Sequence, residues 1–209
     1  MRSETEIEMT RRSFLAGGMK AAVILPVLGL EAISCGRKAV AENSAREVPA
    51  KIVIVADNEP GEPLIISGRI YAPDGHTALE GINLYVYQTD ATGRYSTTGG
   101  NNRNTRLHGL MRTDVEGRYE FRTIKPAPYP QARIPAHIHA FVSGAGYPEY
   151  WIDEYHFDGD AFITDDMRRR SGSSGNFSAI LKLTRGADGI LRGVRDIKIE
   201  RCTNNCTGQ

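Results

Sequence analysis

Residues 118–142 read RYEFRTIKPAPYPQARIPAHIHAFV. The two ends of this stretch, Arg118–Ile124 and His137–Val142, are short and rich in β-branched and aromatic residues, as strands are. Between them Pro126, Pro128 and Pro130 hold the chain extended, because each proline fixes φ and removes a backbone donor. Tyr129 stands among those prolines. On a strand, positions i and i+2 share a face, so His137 and His139 point one way and Ile138 the other, into a core. Two imidazoles on one face suit a shared iron, copper, zinc or nickel ion. The same His-x-His also describes a half-exposed polar face, so its neighbourhood has to decide.

Outward from this stretch the pattern repeats. Lys51–Ala56, Leu64–Ala72 and Ile82–Thr89 precede it, and Ser178–Leu183 and Gly193–Ile199 follow, all short and strand-like. Turn signals separate them: Pro73-Asp74-Gly75, Ala91-Thr92-Gly93, Asp114-Val115-Glu116-Gly117 and Gly186-Ala187-Asp188-Gly189. The 22 Gly and 10 Pro of the 209 residues are spread along the chain, which suits many turns better than long helices. An all-β, antiparallel sandwich or barrel is predicted, with residues 51–209 as one domain. The stretches 99–106 (GGNNRNTR) and 167–175 (MRRRSGSSG) read as positively charged loops. A formal charge of +1 argues against a duplex nucleic acid partner, which calls for a strongly basic face.

The N-terminus reads as an address. Thr10-Arg11-Arg12-Ser13-Phe14-Leu15 matches a twin-arginine export pattern, and Ala21–Leu30 supplies a short apolar core. That core falls short of the ~20 residues a spanning helix needs. Residues 1–35 are read as the signal and 36–50 as a linker. The destination is then periplasmic or extracellular. Ala39-Val40-Ala41 offers a cleavage site, and Ala32-Ile33-Ser34-Cys35 an imperfect lipobox that would lipidate Cys35 and tether the domain to a membrane. The two other cysteines, Cys202 and Cys206, flank turn residues that can bring them within disulfide range; three unrelated thiols is the alternative.

A second tyrosine stands in Gly93-Arg94-Tyr95, just after the Ile82–Thr89 segment. An unperturbed phenol titrates near pH 10 and needs a strong Lewis acid to ionise at neutral pH. Two Tyr with two His therefore favour iron(III), Fe(3+), over zinc or copper. Taken singly, Tyr95 also reads as a turn residue packed on a sheet and Tyr129 as part of a Pro-rich edge.

Glu80–Tyr95 (EGINLYVYQTDATGRY), Arg112–Pro130, Pro135–His139 (PAHIH) and Glu154–Asp160 (EYHFDGD) together resemble successive blocks of the intradiol ring-cleavage dioxygenases, the family of the protocatechuate and catechol dioxygenases. The resemblance covers most of residues 63–163 and is closer to the compact protocatechuate type. It implies a β-sandwich of the intradiol dioxygenase type. It implies an iron(III) site held by Tyr95, Tyr129, His137 and His139, with Tyr95 leaving to act as general base when a catechol binds. It implies ring opening with O2 to a cis,cis-muconate type diacid, and a homo-oligomer as a common assembly.

Three departures bear on substrate. The resemblance puts an arginine directly before Pro-Ala-His, where this chain has Ile134, with Arg133 one position earlier. A one-residue slip on a strand reverses a side chain's direction, so a catalytic role for Arg133 requires a local bulge. Arg106 and His108 are the alternative sources of that charge. Gln131 replaces a tryptophan, and Glu154 replaces a glutamine near the histidines, which makes the pocket less welcoming to an anion. Gln131, Ile134 and Glu154 are thus the expected substrate-side positions. Arg168-Arg169-Arg170 reads as a solvated loop, His76 and His156 as ordinary polar residues, and Tyr147, Tyr150, Trp151 and Tyr155 as core or rim aromatics. The alternatives to a catechol dioxygenase are a non-catalytic exported sandwich that binds phenolic or carbohydrate ligands, and a copper or zinc protein using His137 and His139 alone.

Overall fold

The structure, a computed structural model, describes residues 47–96 and 102–200. The export signal, Cys35, most of the linker, and the Cys202 and Cys206 pair lie outside the described residues.

Alternation of apolar and polar residues builds twelve strands: β1 (Lys51–Val53), β2 (Pro63–Tyr71), β3 (Asn83–Gln88), β4 (His108–Arg112), β5 (Arg118–Ile124), β6 (His137–Gly144), β7 (Tyr147–Trp151), β8 (Tyr155–Phe157), β9 (Ile180–Leu181), β10 (Thr184–Arg185), β11 (Leu191–Val194) and β12 (Ile197–Lys198). They form two sheets. One runs β1-β5-β2-β11-β10, with β12 also on β2; the other runs β4-β3-β6-β8-β9, with β7 also on β6. The all-β sandwich is as expected, but the sheets are mixed. The pairs β1–β5, β2–β11, β2–β12 and β8–β9 are parallel, the rest antiparallel. The parallel partners are short strands brought back by long connections, whereas the antiparallel ones are mainly near neighbours in sequence.

The two sheets share one core. Leu64, Ile66 and Ile70 of β2 and Tyr119 and Phe121 of β5 meet Leu84 and Val86 of β3, Ile138, Ala140 and Val142 of β6, and Tyr155 and Phe157 of β8. On β6 the period of two therefore sends Ile138 inward and His137, His139 and Phe141 to the opposite face. Tyr85 and Tyr87 of β3 share that outer face, and Tyr87 lies opposite His139 in the ladder.

One expected loop is a helix. Residues 165–173 form α1 (Asp165–Ser173), capped by Thr164, whose side chain accepts a hydrogen bond from the Met167 amide at 3.2 Å, with Asp165 and Asp166 in the first turn. Acidic residues there oppose the positive helix end.

Ile138 is fully buried directly between the two histidines. Ile138→Ala is expected to cost ~2–5 kcal/mol of unfolding free energy, since it deletes a core side chain and leaves a cavity. Denaturant titration checks it; a loss under 1 kcal/mol contradicts this packing.

Candidate active site

The Tyr95 turn is built by Asp90. Its carboxylate accepts from the amides of Thr92 (2.8 Å) and Arg94 (3.1 Å), and the Asp90 amide donates to the Arg94 carbonyl. Burial pushes the Asp90 carboxyl up, but these hydrogen bonds outweigh it and hold the group below its usual range. Gly93 has φ +75°, and a Cβ there would meet the Pro128 carbonyl oxygen at 2.0 Å. Only glycine therefore lets this turn lie against the Pro126–Pro130 stretch. That stretch is tied to the same corner: Ala127 donates to the Asp90 carbonyl at 3.1 Å, and the Thr89 hydroxyl donates to the Ala127 carbonyl at 2.9 Å. Tyr95 and Tyr129 are thereby delivered to one point, above the outer face of β6.

There the four expected ligand atoms converge. The Tyr95 and Tyr129 hydroxyls share a hydrogen bond of 2.6 Å. His139 Nε2 lies 2.9 Å from the Tyr95 oxygen and 3.3 Å from that of Tyr129. His137 Nε2 lies 3.3 Å from the Tyr129 oxygen and 3.2 Å from His139 Nε2. The outward ring nitrogens are engaged elsewhere. His137 Nδ1 donates to the Pro135 carbonyl at 2.8 Å, which leaves Nε2 as a bare lone pair facing inward. Glu154 Oε1 stands 2.7 Å from the buried His139 Nδ1 and gives that side of the ring a counter-charge. Asp160 fixes the entry to the strand, accepting from the Ala136 amide at 2.9 Å.

Electrostatics sharpen the point. Burial pushes the Tyr95 phenol far above its ordinary value, and its hydrogen bond and proximity to Tyr129 add to that. Burial also raises Tyr129, against the pull of the Tyr95 hydrogen bond. Burial likewise pushes Glu154 up, but His139, His137 and His156 outweigh it and keep it an anion. Two imidazole lone pairs opposed at 3.2 Å repel one another, and two phenol protons cannot satisfy both them and each other. A single hard cation among the four atoms would resolve the repulsion and stabilise both phenolates. The donor set thus fits iron(III), which Tyr95, Tyr129, His137 and His139 would hold. A second trio, His137, His139 and Glu154, also has ligand atoms within 4.8 Å. It would use Glu154 from behind His139, on the side away from the converging Nε2, so Glu154 is better placed as the partner that orients His139.

The centre opens into a cavity of about 690 Å³ bordered by Ile134, Trp151, Glu154, His156, Met167 and Arg170. Tyr87, a neighbour of His139, stacks on its ring at 4.4 Å, and burial pushes its phenol up to about 12. The structure brings Ile134 and Glu154 to the cavity but not Gln131 or Arg133, both exposed. Arg133 instead lies 6.0 Å from the Phe162 ring, so the one-residue slip is not rescued by a bulge. Arg106 and His108 do not supply the charge either: Arg106 pairs with Glu59, and His108 Nδ1 contacts the Thr105 carbonyl. Two residues that the sequence presents as ordinary polar and solvated also border the cavity. His156 lies opposite His137 in the ladder and borders the cavity, and Arg170 reaches it from α1. The period of β8 signals His156: it puts His156 on the face opposite the core residues Tyr155 and Phe157.

Comparison with known proteins identifies the family and the fold. The family model described as Dioxygenase matches residues 40–192. Catechol 1,2-dioxygenase 2 of Acinetobacter lwoffii is 31% identical over 125 residues, covering 52% of this chain and 45% of that protein. The protocatechuate 3,4-dioxygenase beta chain of Burkholderia cepacia is 32% identical over 123 residues, covering 54% and 52%. The chain thus spans about half the length of these curated relatives. Among solved structures, the dioxygenase domain of a dioxygenase carbohydrate-binding protein fusion from Streptomyces sp. SirexAA-E superposes with a TM-score of 0.56 at 24% identity, covering 75% of this chain and 92% of that one. A 3-chlorocatechol 1,2-dioxygenase from Rhodococcus opacus 1CP superposes with a TM-score of 0.59 at 21% identity, covering 77% and 68%. This chain belongs to the intradiol dioxygenase family.

In metal-free protein, Tyr95 and Tyr129 should both show less phenolate absorbance at pH 10 than an exposed tyrosine, because both groups are raised. Ultraviolet pH titration of the wild type against Tyr95→Phe and Tyr129→Phe checks this; normal titration of either tyrosine would contradict it. Glu154→Ala should weaken metal binding ~10–100-fold with unchanged circular dichroism, the usual cost of removing such a supporting partner.

Proposed function

We propose that this chain is a non-haem iron(III) dioxygenase that opens catechol rings between their two hydroxyl-bearing carbons with O2. The observation that carries this reading is the convergence of Tyr95, Tyr129, His137 and His139 on one point beside an open cavity. Bound iron(III) would supply the Lewis acidity that holds the deprotonated catechol and makes its ring carbon reactive toward O2.

The chain's own residues do the rest. Tyr95 follows a turn rather than lying on a strand, so of the four residues that would hold iron its side chain has the most freedom to move, and its oxygen is the atom that would take a catechol proton as general base. Tyr129, held among three prolines, stays in place, as do the histidines on β6. Glu154 holds the back of His139. Ile134 and Trp151 give the cavity apolar walls that suit an aromatic ring and exclude water. Both atoms of O2 enter the product, giving two carboxylates of a cis,cis-muconate type diacid, so no external reductant is required.

Charge sets the substrate class. Ile134 presents no cation to the cavity, Arg170 at its edge is paired with Asp166, and Glu154 and Asp153 add negative charge to the wall. An uncharged catechol is therefore expected to be preferred over one bearing a carboxylate. Export by the twin-arginine route, supported by residues 10–30, would place the reaction outside the cytoplasm, with Cys35 as a lipid tether. Among the described residues no helix is long and apolar enough to cross a membrane.

Oxygen uptake tests the activity. With iron-loaded protein, catechol should consume one O2 per ring and yield the diacid, with 3,4-dihydroxybenzoate turned over less efficiently. Tyr95→Phe should keep its iron and lose ~10²–10⁴-fold in kcat, the typical worth of a positioned general base. No uptake with any of a panel of catechols would reject the reading.

A further inference from the structure

A second cavity, of about 390 Å³, lies beyond the Trp151–Asp153 wall of the first. Arg195 borders it and is only 5% exposed. Its Nε and Nη1 atoms are sealed without a hydrogen-bond acceptor, and no carboxylate pairs with it among the described residues. The side chain cannot readily swing away. Its backbone is clamped on both sides: the amide donates to the Ser67 carbonyl at 2.9 Å, and the carbonyl accepts from the Tyr119 hydroxyl at 2.7 Å. Gly68 lies so close that a Cβ there would stand 1.8 Å from the Arg195 carbonyl oxygen. The guanidinium is left against the buried ring of Tyr155, at 4.3 Å.

A ring face offsets only part of what it costs to take a cation out of water. The remainder calls for an anion, and the cavity is where one can reach. Lys198 borders the same cavity and makes no ion pair among the described residues. Asp153 and Glu200 also border it, and neither lies within ion-pair distance of Arg195. Together with Arg195 and Lys198 they leave the lining formally neutral, which disfavours a doubly charged phosphate more than a singly charged anion placed beside Arg195. With Nε and Nη1 sealed, the end of the guanidinium that borders the cavity can donate to one oxygen of a small carboxylate, a charge-assisted hydrogen bond. We propose that this cavity is a binding site for a small monocarboxylate, separate from the ring-cleavage centre and anchored by Arg195 and Lys198.

Trp151 is the sole tryptophan of the chain and borders this cavity, so its emission reports on it. Acetate titrated into the full chain, against chloride at equal ionic strength, is expected to change Trp151 emission saturably. Trp151 also borders the ring-cleavage cavity, so two variants assign the site. Lys198→Gln, which touches this cavity alone, should weaken acetate binding about fivefold, the worth of one partly exposed charge. Arg170→Gln, which touches the other cavity alone, should leave it unchanged. Inorganic phosphate should bind more weakly than acetate. A linear response identical to that of chloride, loss of binding in Arg170→Gln rather than Lys198→Gln, or tighter binding of phosphate would each overturn the proposal. None of these outcomes depends on ring cleavage.

Discussion

The two-residue period of strand β6 is the constraint on which the rest of the structure depends. Ile138, Ala140 and Val142 are buried between the sheets, and their burial fixes the register of the strand. A slip of one residue would bury two imidazoles and expose an isoleucine, at a cost no local contact offsets. His137 and His139 are thus aimed outward by the hydrophobic core rather than by their own interactions. The tyrosines are then brought to them by a corner in which Gly93, Asp90 and the prolines of residues 126–130 lock together. Packing energy is converted into ligand geometry.

Much of this was legible in the sequence because it is local. His-Ile-His on a strand, Pro-Tyr-Pro on a rigid connection and Gly-Arg-Tyr after a strand each carry their geometry within a few residues. The strands β2, β3 and β5 were readable for the same reason. What could not be read depends on distant partners. The pairing of β11 and β12 with β2 is parallel and spans most of the domain, so no local pattern announces it. Helix α1 was masked by the two glycines and three serines of residues 171–175, although Thr164 with Asp165 and Asp166 is a helix-start signal. Strands β7 and β8 are short and lie among aromatics that also suit a loop. His156 stood in plain sequence view but gains meaning only once β8 pairs with β6 opposite His137.

Charge distinguishes this chain's site from the pattern its sequence resembles. Arg133 has turned toward Phe162 and Ile134 faces the cavity, so the ring-binding wall on this side is apolar. Positive charge appears instead at Arg170 on α1 and, beyond the Trp151 wall, at the buried Arg195. The four converging ligand atoms are untouched by these changes. Under the proposed function, binding of metal and choice of substrate would fall to separate parts of the fold, the first to β6 and the tyrosine corner, the second to the segments that frame the cavity.

The most direct test of the account is the visible absorption spectrum of the iron(III)-loaded protein, recorded without oxygen before and after adding catechol. A tyrosinate-to-iron band that shifts on addition of catechol is expected, weakened and displaced in Tyr129→Phe. A protein that stays colourless after iron loading, or a colour indifferent to Tyr129→Phe, would contradict it.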